Sequence, residues 1–412
     1  MKIIISGAYA IGTYLARLLS RNQEEITVID DDEERLARIG SDYDLLTLHG
    51  SPSSVKTLKE ANAGDADLFI AVTPDDNENI NSCILAHALH ARKTVAKIDD
   101  SEYMEPGIQQ FYKDLGVDEL IYPEMLAARD IINGLRMSWV RQRWDVHNGA
   151  LVMLGIKLRE ACEILNRPLK DLCGPDDPYH VVAIKRKGET IIPGGNDELK
   201  CYDLAYFMTT KQYIPYIRKI VGKEHYVDVK NVMIMGGGAT AVRAVLSRPE
   251  YMNTKIFEVN PDRCDELNQL LNDQALVINA DPRDMGVRKT VAMVESMGYA
   301  SMAESLDIGT IINKKAIAAS RIYQLMLDAD VMNVTFLMSA NADVAEFIPK
   351  PDSKVTRKPV KDLGLPQGMT IGGLVRDGEG MLVSGNTQIQ AGDDVVVFCH
   401  NVNMKKIEKF FN

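Results

Sequence analysis

Short runs of β-branched and apolar residues alternate with longer helical stretches over the first 122 residues. The runs MKIIISG, EITVID, LLTLHG, LFIAVT, TVAKID and DELIY have the length and composition of strands buried on both faces. Helical stretches start near Gly12, Asp32, Ser54 and Glu78. This alternation predicts βαβ units and a parallel sheet with helices on both faces. Apolar residues at helical spacing then predict a long helix from Pro123 to Gln142.

The pattern changes over residues 146–222 and again over 331–412. Segments such as HVVAIKRKGETIIPGG and TIGGLVRDGEGMLVSGNTQI alternate apolar and polar residues between polar turns. Such alternation predicts short antiparallel strands. The dipeptides Lys187-Gly188 and Asp377-Gly378 suit two-residue hairpin turns. Both segments are therefore predicted to be small α+β domains.

The chain contains the same pattern twice. KIIISGAYAIGTYLARLLS is matched by NVMIMGGGATAVRAVLSRP, TVIDDDEER by KIFEVNPDR, and RPLKDL by KPVKDL. Internal repetition of this kind indicates a duplicated unit. We predict two Rossmann-like, doubly wound parallel-sheet α/β domains, each followed by a small α+β domain. The predicted segments are a first Rossmann-like domain (1–122), a crossover helix and linker (123–145), a first small domain (146–222), a second Rossmann-like domain (230–313), a second crossover helix (314–330) and a second small domain (331–412).

The second repeat is shorter than the first. Gly50 matches Ala280 at an offset of 230, whereas Ala91 matches Val287 at an offset of 196. The second half therefore lacks about 34 residues between positions 286 and 287, the counterparts of positions 57–90. These counterparts include one central strand and two helices. We favour an omitted segment, because the repeat match continues up to the junction; a trimmed second half is the alternative.

Both halves carry a glycine-rich turn between the first strand and the first helix. In a Rossmann loop the first glycine makes the turn, the second lets the backbone approach the pyrophosphate, and the third lets helix and strand pack closely. The second half has Gly236, Gly238 and Ala241 in these places, with Glu258 positioned to accept a ribose hydroxyl. The first half keeps two glycines and an acid, but Tyr9 replaces the second glycine.

Composition narrows the function classes. The net charge of −11 argues against nucleic acid as the main partner. The 6 cysteines form no C-x-x-C pair, which favours reduced thiols over disulfides or a zinc site. No apolar window reaches the length of a membrane span, and we see no signal peptide, so we expect a cytosolic chain.

Few side chains suggest chemistry beyond the two loops. His87 and His90 could share a metal on one helix, but a plain helix face is the favoured interpretation because no third ligand is evident. No catalytic triad or pair of carboxylates stands out. We therefore expect a non-enzyme, with an NAD-dependent oxidoreductase as the alternative; such an enzyme should supply a His or Lys beside the nicotinamide.

This domain order resembles the tandem regulators of potassium conductance (RCK) of Trk potassium-uptake systems. The resemblance covers essentially the whole chain. It rests on the loop from Gly7 to Gly12, on the segment LFIAVTPDDNENINSCILA, and on RPLKDL and KPVKDL at the starts of the small domains. In that family the small domains are called RCK-C or TrkA-C. It implies a cytosolic regulatory subunit that senses NAD(H), possibly ATP or ADP. It also implies a homo-oligomeric ring, dimer or tetramer, beneath a membrane potassium transporter (TrkH-like).

The resemblance also implies the residues that border the nucleotide. In the first half they are Gly7, Ala8, Tyr9, Ala10, Ile11, Gly12, Asp30, Thr73, Pro74 and Lys97; in the second half they are Gly236, Gly237, Gly238, Ala239, Thr240, Ala241, Glu258 and Asp281. Asn79 begins the helix after Thr73. Two departures accompany Tyr9: Ser51 stands where the second half has Asp281, and Met293 stands where the first half has Lys97. The loop with Tyr9 could prefer a smaller ligand, stack an adenine, or be closed.

Overall fold

A computed structural model describes residues 1–20, 24–174, 177–227, 229–281, 290–294, 310–326, 331–337, 342–400, 402 and 404–412. The chain divides into two compact units. The first unit comprises Met1–Leu126 and Lys314–Met326, and the second comprises the other described residues. Among the described helices, none combines the length and apolar character needed to cross a bilayer.

The first unit contains a six-stranded parallel sheet in the order β3-β2-β1-β4-β5-β6. Its strands are β1 (Lys2–Ser6), β2 (Glu25–Asp30), β3 (Leu46–His49), β4 (Leu68–Ala71), β5 (Thr94–Lys97) and β6 (Glu119–Ile121). The order reverses between β1 and β4, which makes the sheet doubly wound as predicted. All four residues of β4 and of β5 are buried, as expected for strands covered on both faces.

Helices follow the strands in this unit. They are α1 (Ala10–Ser20), α2 (Glu33–Asp42), α3 (Val55–Glu60), α4 (Asp76–Ala88) and α5 (Pro106–Asp114). The next helix, α6 (Pro123–Arg136), begins in this unit and belongs to the second unit from Ala127. Side chains of Asp32, Ser54 and Asp75 accept hydrogen bonds from the first backbone N–H groups of α2, α3 and α4. These are residue types that favour helix starts.

The long helix ends earlier than its sequence pattern predicted. We expected helix up to Gln142, but α6 ends at Arg136. Trp139 and Val140 are instead buried in the core of the first small domain, and Gln142 begins a strand that pairs with Gly155. The apolar residues after Arg136 therefore serve another core, which periodicity alone could not distinguish.

Each small domain has a five-stranded antiparallel sheet, with the orders β10-β9-β11-β8-β7 and β17-β18-β21-β19-β20. The first is built from β7 (Gln142–Val146), β8 (Leu151–Lys157), β9 (Tyr179–Arg186), β10 (Glu189–Ile191) and β11 (Leu204–Thr209), followed by α7 (Ile214–Ile220). Both predicted hairpin turns are confirmed: Lys187 and Gly188, and likewise Asp377 and Gly378, have positive φ, as a type I′ turn requires.

The second small domain packs against the first within the second unit. Its elements are β17 (Val331–Leu337), β18 (Ala342–Phe347), β19 (Met369–Arg376), β20 (Glu379–Leu382), β21 (Asp394–Cys399) and the last helix, α11 (Met404–Phe411). Residues of both sheets share one buried apolar cluster. A Cβ on Gly372 would lie 2.9 Å from Val182, and one on Gly373 would lie 2.8 Å from Leu151. These two glycines therefore let the sheets approach closely.

The second Rossmann-like half is split into two small parallel sheets. One is β12-β13-β14 and the other is β15-β16. The elements are β12 (Asn231–Met235), α8 (Ala239–Ser247), β13 (Asn253–Glu258), α9 (Pro261–Leu271), β14 (Leu276–Asn279), β15 (Val291–Met293), β16 (Thr310–Ile312) and α10 (Lys314–Met326), of which α10 belongs to the first unit and packs against α1. Within the described ranges, no strand joins β12 to β15.

That split falls where the repeat offset predicted a missing strand. By position β12–β14 correspond to β1–β3, and β15 and β16 to β5 and β6. Met235, at the end of β12, is 50% exposed, whereas its counterpart Ser6 is fully buried. Ala128 and Ile132 of α6 pack in one cluster with Val232 and Val291, so this helix covers both sheet fragments. The junction between 286 and 287 itself lies outside the described residues.

Candidate nucleotide-binding loops

The first glycine loop joins β1 to α1. Gly7 has a φ of +105°, which favours glycine over other residues, and its N–H donates to the carbonyl of Ile29 at 2.8 Å. A Cβ on Gly12 would lie 1.9 Å from the carbonyl oxygen of Gly7. Gly12 therefore permits the close contact between helix and loop that the sequence pattern predicted.

Asp30 closes this loop from the end of β2. Its Oδ2 accepts from the N–H of Ala8 at 2.6 Å, and its Oδ1 accepts from Asp32 N at 2.9 Å. The Arg35 guanidinium donates to the same Oδ1 at 3.0 and 2.7 Å. Burial alone would raise the pKa of Asp30, but the hydrogen bonds from Arg35, Ala8 and Asp32 outweigh it and hold the pKa below its ordinary value.

Tyr9 lies over this ion pair. The Arg35 Cζ is 4.2 Å from the centroid of the Tyr9 ring, well within the range of a cation–π interaction. Arg35 follows a run of acids, DDDEER, which by sequence alone is typical of a solvated helix start. Its position five residues after Asp30 was the available signal.

The ends of β4 and β5 complete the first site. Asn79 is fully buried; its Oδ1 accepts from Thr73 N at 2.8 Å and from Thr73 Oγ1 at 2.9 Å, and its Nδ2 donates to the carbonyls of Thr73 and Lys97, each at 2.9 Å. Thr73 N would lie 3.0 Å from a Cβ on Gly7. The structure therefore brings Gly7, Thr73, Asn79 and Lys97 to one edge of the sheet, with Pro74 exposed beside them.

The ammonium group of Lys97 already has two partners in the structure. Its side chain is buried, and its Nζ donates to Asp99 and, at 3.4 Å, to the carbonyl of Thr73. Sequence reasoning missed Asp99. A phosphate near Lys97 would therefore compete with a carboxylate for the ammonium group.

The second loop joins β12 to α8 with the same backbone geometry. Gly236 has a φ of +92° and donates to the carbonyl of Phe257 at 2.8 Å. Glu258 Oε2 accepts from Gly237 N at 2.7 Å, and its Oε1 accepts from Asn260 N at 2.9 Å. These hydrogen bonds lower the pKa of Glu258, so the acid is ionised and holds the loop, as Asp30 does.

The two loops differ at their second glycine position. Gly238 is the N-cap of α8, and a Cβ there would meet nothing within 4 Å. Ala239 is exposed, whereas Thr240 and Ala241 are buried in the first turn of the helix. In the first loop Ala10 is exposed and Ile11 half-buried after Tyr9. Open space therefore adjoins Gly238, whereas Tyr9 at the matching position of the first loop carries a ring.

The second half is less complete than the first around its loop. Asp281 is exposed just after β14, and Met293 is 47% exposed at the end of β15. The predicted counterparts of Thr73 and Asn79 fall within the proposed missing segment. Gly237 and Glu258 are joined by a hydrogen bond, and Gly236 precedes Gly237 in the loop.

Comparisons with known proteins agree with this architecture. The TrkA-N domain family matches residues 3–123, and the TrkA-C domain family matches residues 344–412. Trk system potassium uptake protein TrkA of Azorhizobium caulinodans is 26% identical and is aligned over all of this chain and 98% of its own length. The chain is therefore similar along its whole length to Trk system potassium uptake proteins TrkA and carries both of their domain types. TrkA of Haemophilus influenzae is likewise 26% identical over all of this chain, and TrkA of Vibrio alginolyticus is 27% identical over 97% of it.

Solved structures support the fold of this chain. The GsuK RCK domain covers all of the chain at a TM-score of 0.57 and 15% identity, with 94% of its own length matched. The GsuK channel bound to NAD covers all of it at a TM-score of 0.56 and 13% identity, with 78% of its own length matched. The fold is therefore that of tandem RCK domains, as the sequence resemblance implied.

The alignments also bear on the shortened repeat. The alignment with the A. caulinodans protein extends over 452 positions, whereas this chain has 412 residues. The relative therefore has at least about 40 positions without a counterpart here. That surplus is similar in size to the segment that the repeat offset predicts to be missing from the second half.

Proposed function

We propose that this chain is a cytosolic, nucleotide-sensing regulatory subunit of a Trk-type potassium uptake transporter. The carrying observation is that one chain holds two strand–glycine–helix loops, each closed onto an acid by a hydrogen bond from the loop backbone. Its full-length relatives are named as Trk potassium uptake proteins. The proposed partner is a TrkH-like membrane subunit, and the proposed assembly is a homo-oligomeric dimer or tetramer ring.

We propose NAD(H) as the main ligand, with ATP or ADP as a competing ligand. The first helix after each loop presents its N-terminal N–H groups to a phosphate. Asp30 and Glu258 would each accept a ribose hydroxyl. Thr73, Pro74 and Lys97 would border the nucleotide in the first half, and Asp281 in the second.

The geometry suggests how binding could be converted into a change of shape. In the structure Ala8 N and Gly237 N donate to Asp30 and Glu258. A dinucleotide would offer phosphate to the N–H groups and hydroxyls to the acids, so that both partners of each bond are replaced. A ligand that interacts differently with two loop conformations shifts the equilibrium between them. The helices α1 and α8 begin at these loops and would transmit the shift.

Calorimetry on the full chain tests this proposal. We expect NADH to bind, and we expect Gly238→Trp to weaken binding at least about tenfold because the indole would occupy the open space beside the loop. Gly107→Trp is the matched control, since a Cβ on Gly107 also meets nothing within 4 Å but lies far along the chain in α5. Equal affinities in the two variants would contradict the site.

A turnover assay separates the regulatory proposal from an oxidoreductase. Hydride transfer from NADH, followed at the nicotinamide absorbance with common carbonyl substrates, would favour the enzyme. Binding without turnover is the outcome that the regulatory proposal requires.

A further inference from the structure

Two arginines occupy equivalent places behind the two loops but have different partners. Arg35 lies five residues after Asp30, and Arg263 lies five residues after Glu258. Both are in the first turns of the helix after the second strand, α2 and α9. The duplicated chain therefore provides an internal comparison of the same side chain in two settings.

In the first loop the arginine covers the acid. Arg35 donates twice to Asp30, and a further Nη2 contact reaches Asp31 Oδ1 at 3.0 Å. Its other Nη lies 2.9 Å from Asp32 Oδ2. The Asp30 side chain is only 1% exposed. The Tyr9 ring then lies against the outer face of the same guanidinium.

In the second loop the arginine leaves the acid uncovered. Arg263 Nε donates to the carbonyl of Gly237 at 2.9 Å, and its Nη1 pairs with Glu266 at 2.6 Å. Glu258 takes its hydrogen bonds from the backbone of Gly237 and Asn260 and remains half-buried. Gly238 has no ring to lie over the guanidinium.

We propose that Tyr9 and Arg35 form a latch that closes the first pocket, so that Arg35 decides whether a nucleotide reaches Asp30. This inference rests on the proposed nucleotide function. A ligand with free ribose hydroxyls must displace two charge-assisted hydrogen bonds that Arg35 donates to Asp30 Oδ1, and also the Tyr9–Arg35 contact. The second pocket requires neither displacement. The second loop therefore fills first, and the first loop responds only to higher nucleotide concentrations.

Two alternatives for Tyr9 predict a different result. If its ring stacks an adenine, Tyr9→Gly should weaken binding at the first loop. If the loop merely excludes the pyrophosphate, removing Arg35 should leave its affinity unchanged. The latch predicts that either substitution strengthens binding there, because each removes a group that the ligand must displace.

The test uses the full chain with Gly238→Trp as the background, so that binding at the first loop is measured alone with NADH and ADP as probes. We expect Arg35→Gln and Tyr9→Gly each to raise affinity about tenfold or more over that background. Arg38→Gln is the matched control, since Arg38 is an exposed arginine of the same helix that donates to the carbonyl of Glu34. Arg263→Gln, in the chain with Tyr9 and Arg35 unchanged, should not strengthen the second site.

The outcomes separate the latch from the proposed function. Unchanged or weaker binding in either Arg35→Gln or Tyr9→Gly, with the fold intact by circular dichroism, overturns the latch. Absence of NADH and ADP binding in the unaltered chain and in every variant overturns the nucleotide function itself. If Arg35→Gln unfolds the first unit, Arg35→Lys, which keeps the charge but loses the paired guanidinium donors, provides the same comparison.

Discussion

Gly12→Ala should selectively destabilise the first unit. The new Cβ would lie 1.9 Å from the Gly7 carbonyl oxygen and 3.1 Å from its carbon. Both clashing atoms are backbone, so neither can rotate away. Alanine improves helix propensity by about 1 kcal/mol, but forced overpacking in a tight site commonly costs about 1–3 kcal/mol, and more where backbone must move. We expect a net loss of about 2 kcal/mol in the unfolding free energy of this unit.

The assay must report on the correct unit. Both tryptophans, Trp139 and Trp144, lie in the second unit, so tryptophan fluorescence would not follow the change. Hydrogen exchange with mass spectrometry on peptides from β1 and α1 does follow it, because local opening sets their protection. We expect about 30-fold faster exchange there, and no change in peptides from β8 and β9.

The duplicated loop supplies the control. Ala241 occupies the position of Gly12 in the second half, so Ala241→Gly should change stability by only about the 1 kcal/mol of helix propensity. Unaltered exchange in β1 and α1 of Gly12→Ala would refute the reasoning, because it would mean that the loop moves away from the helix at no cost.

Other predictions follow from buried polar groups. Because the pKa of Asp30 is lowered in the folded chain, Asp30 contributes its full stabilisation at pH values above its ordinary pKa. This stabilisation is lost as the pH falls from the ordinary pKa through the lowered pKa of the folded chain. Hydrogen exchange of the first loop should lose this acid dependence in Asp30→Asn. Arg186→Met leaves Asp203, which is 1% exposed, without its two guanidinium hydrogen bonds. It should lower the denaturation midpoint of the second unit by an amount equivalent to about 2–3 kcal/mol, which is less than for a fully buried pair because Arg186 is partly exposed. Arg186→Lys should recover part of this loss. Asn79→Leu removes four hydrogen bonds from the buried edge of the first sheet and should destabilise the first unit by at least about 3 kcal/mol by urea denaturation followed by circular dichroism; a smaller effect than that of Gly12→Ala would show that water replaces the amide.

Local sequence patterns predicted the strands and turns well. The six strands of the first unit correspond to the six apolar runs, because a strand buried on both faces needs a short continuous apolar segment. The Lys187-Gly188 and Asp377-Gly378 turns follow from the positive φ that a type I′ turn demands. The prediction failed at the end of α6, where an apolar residue can serve either a helix face or the next core.

The amino-acid sequence by itself determined the strands of the first unit, the duplication and the presence of an acid after each glycine loop, because each can be recognised in short stretches of the chain or in the comparison of two such stretches. Only the tertiary structure decided that Arg35 turns to Asp30 and Tyr9 whereas Arg263 turns to Gly237 and Glu266. A long charged side chain has several acceptors within its reach. Which of them it pairs with depends on how neighbouring loops and helices pack, and that information is not local to any stretch of the chain.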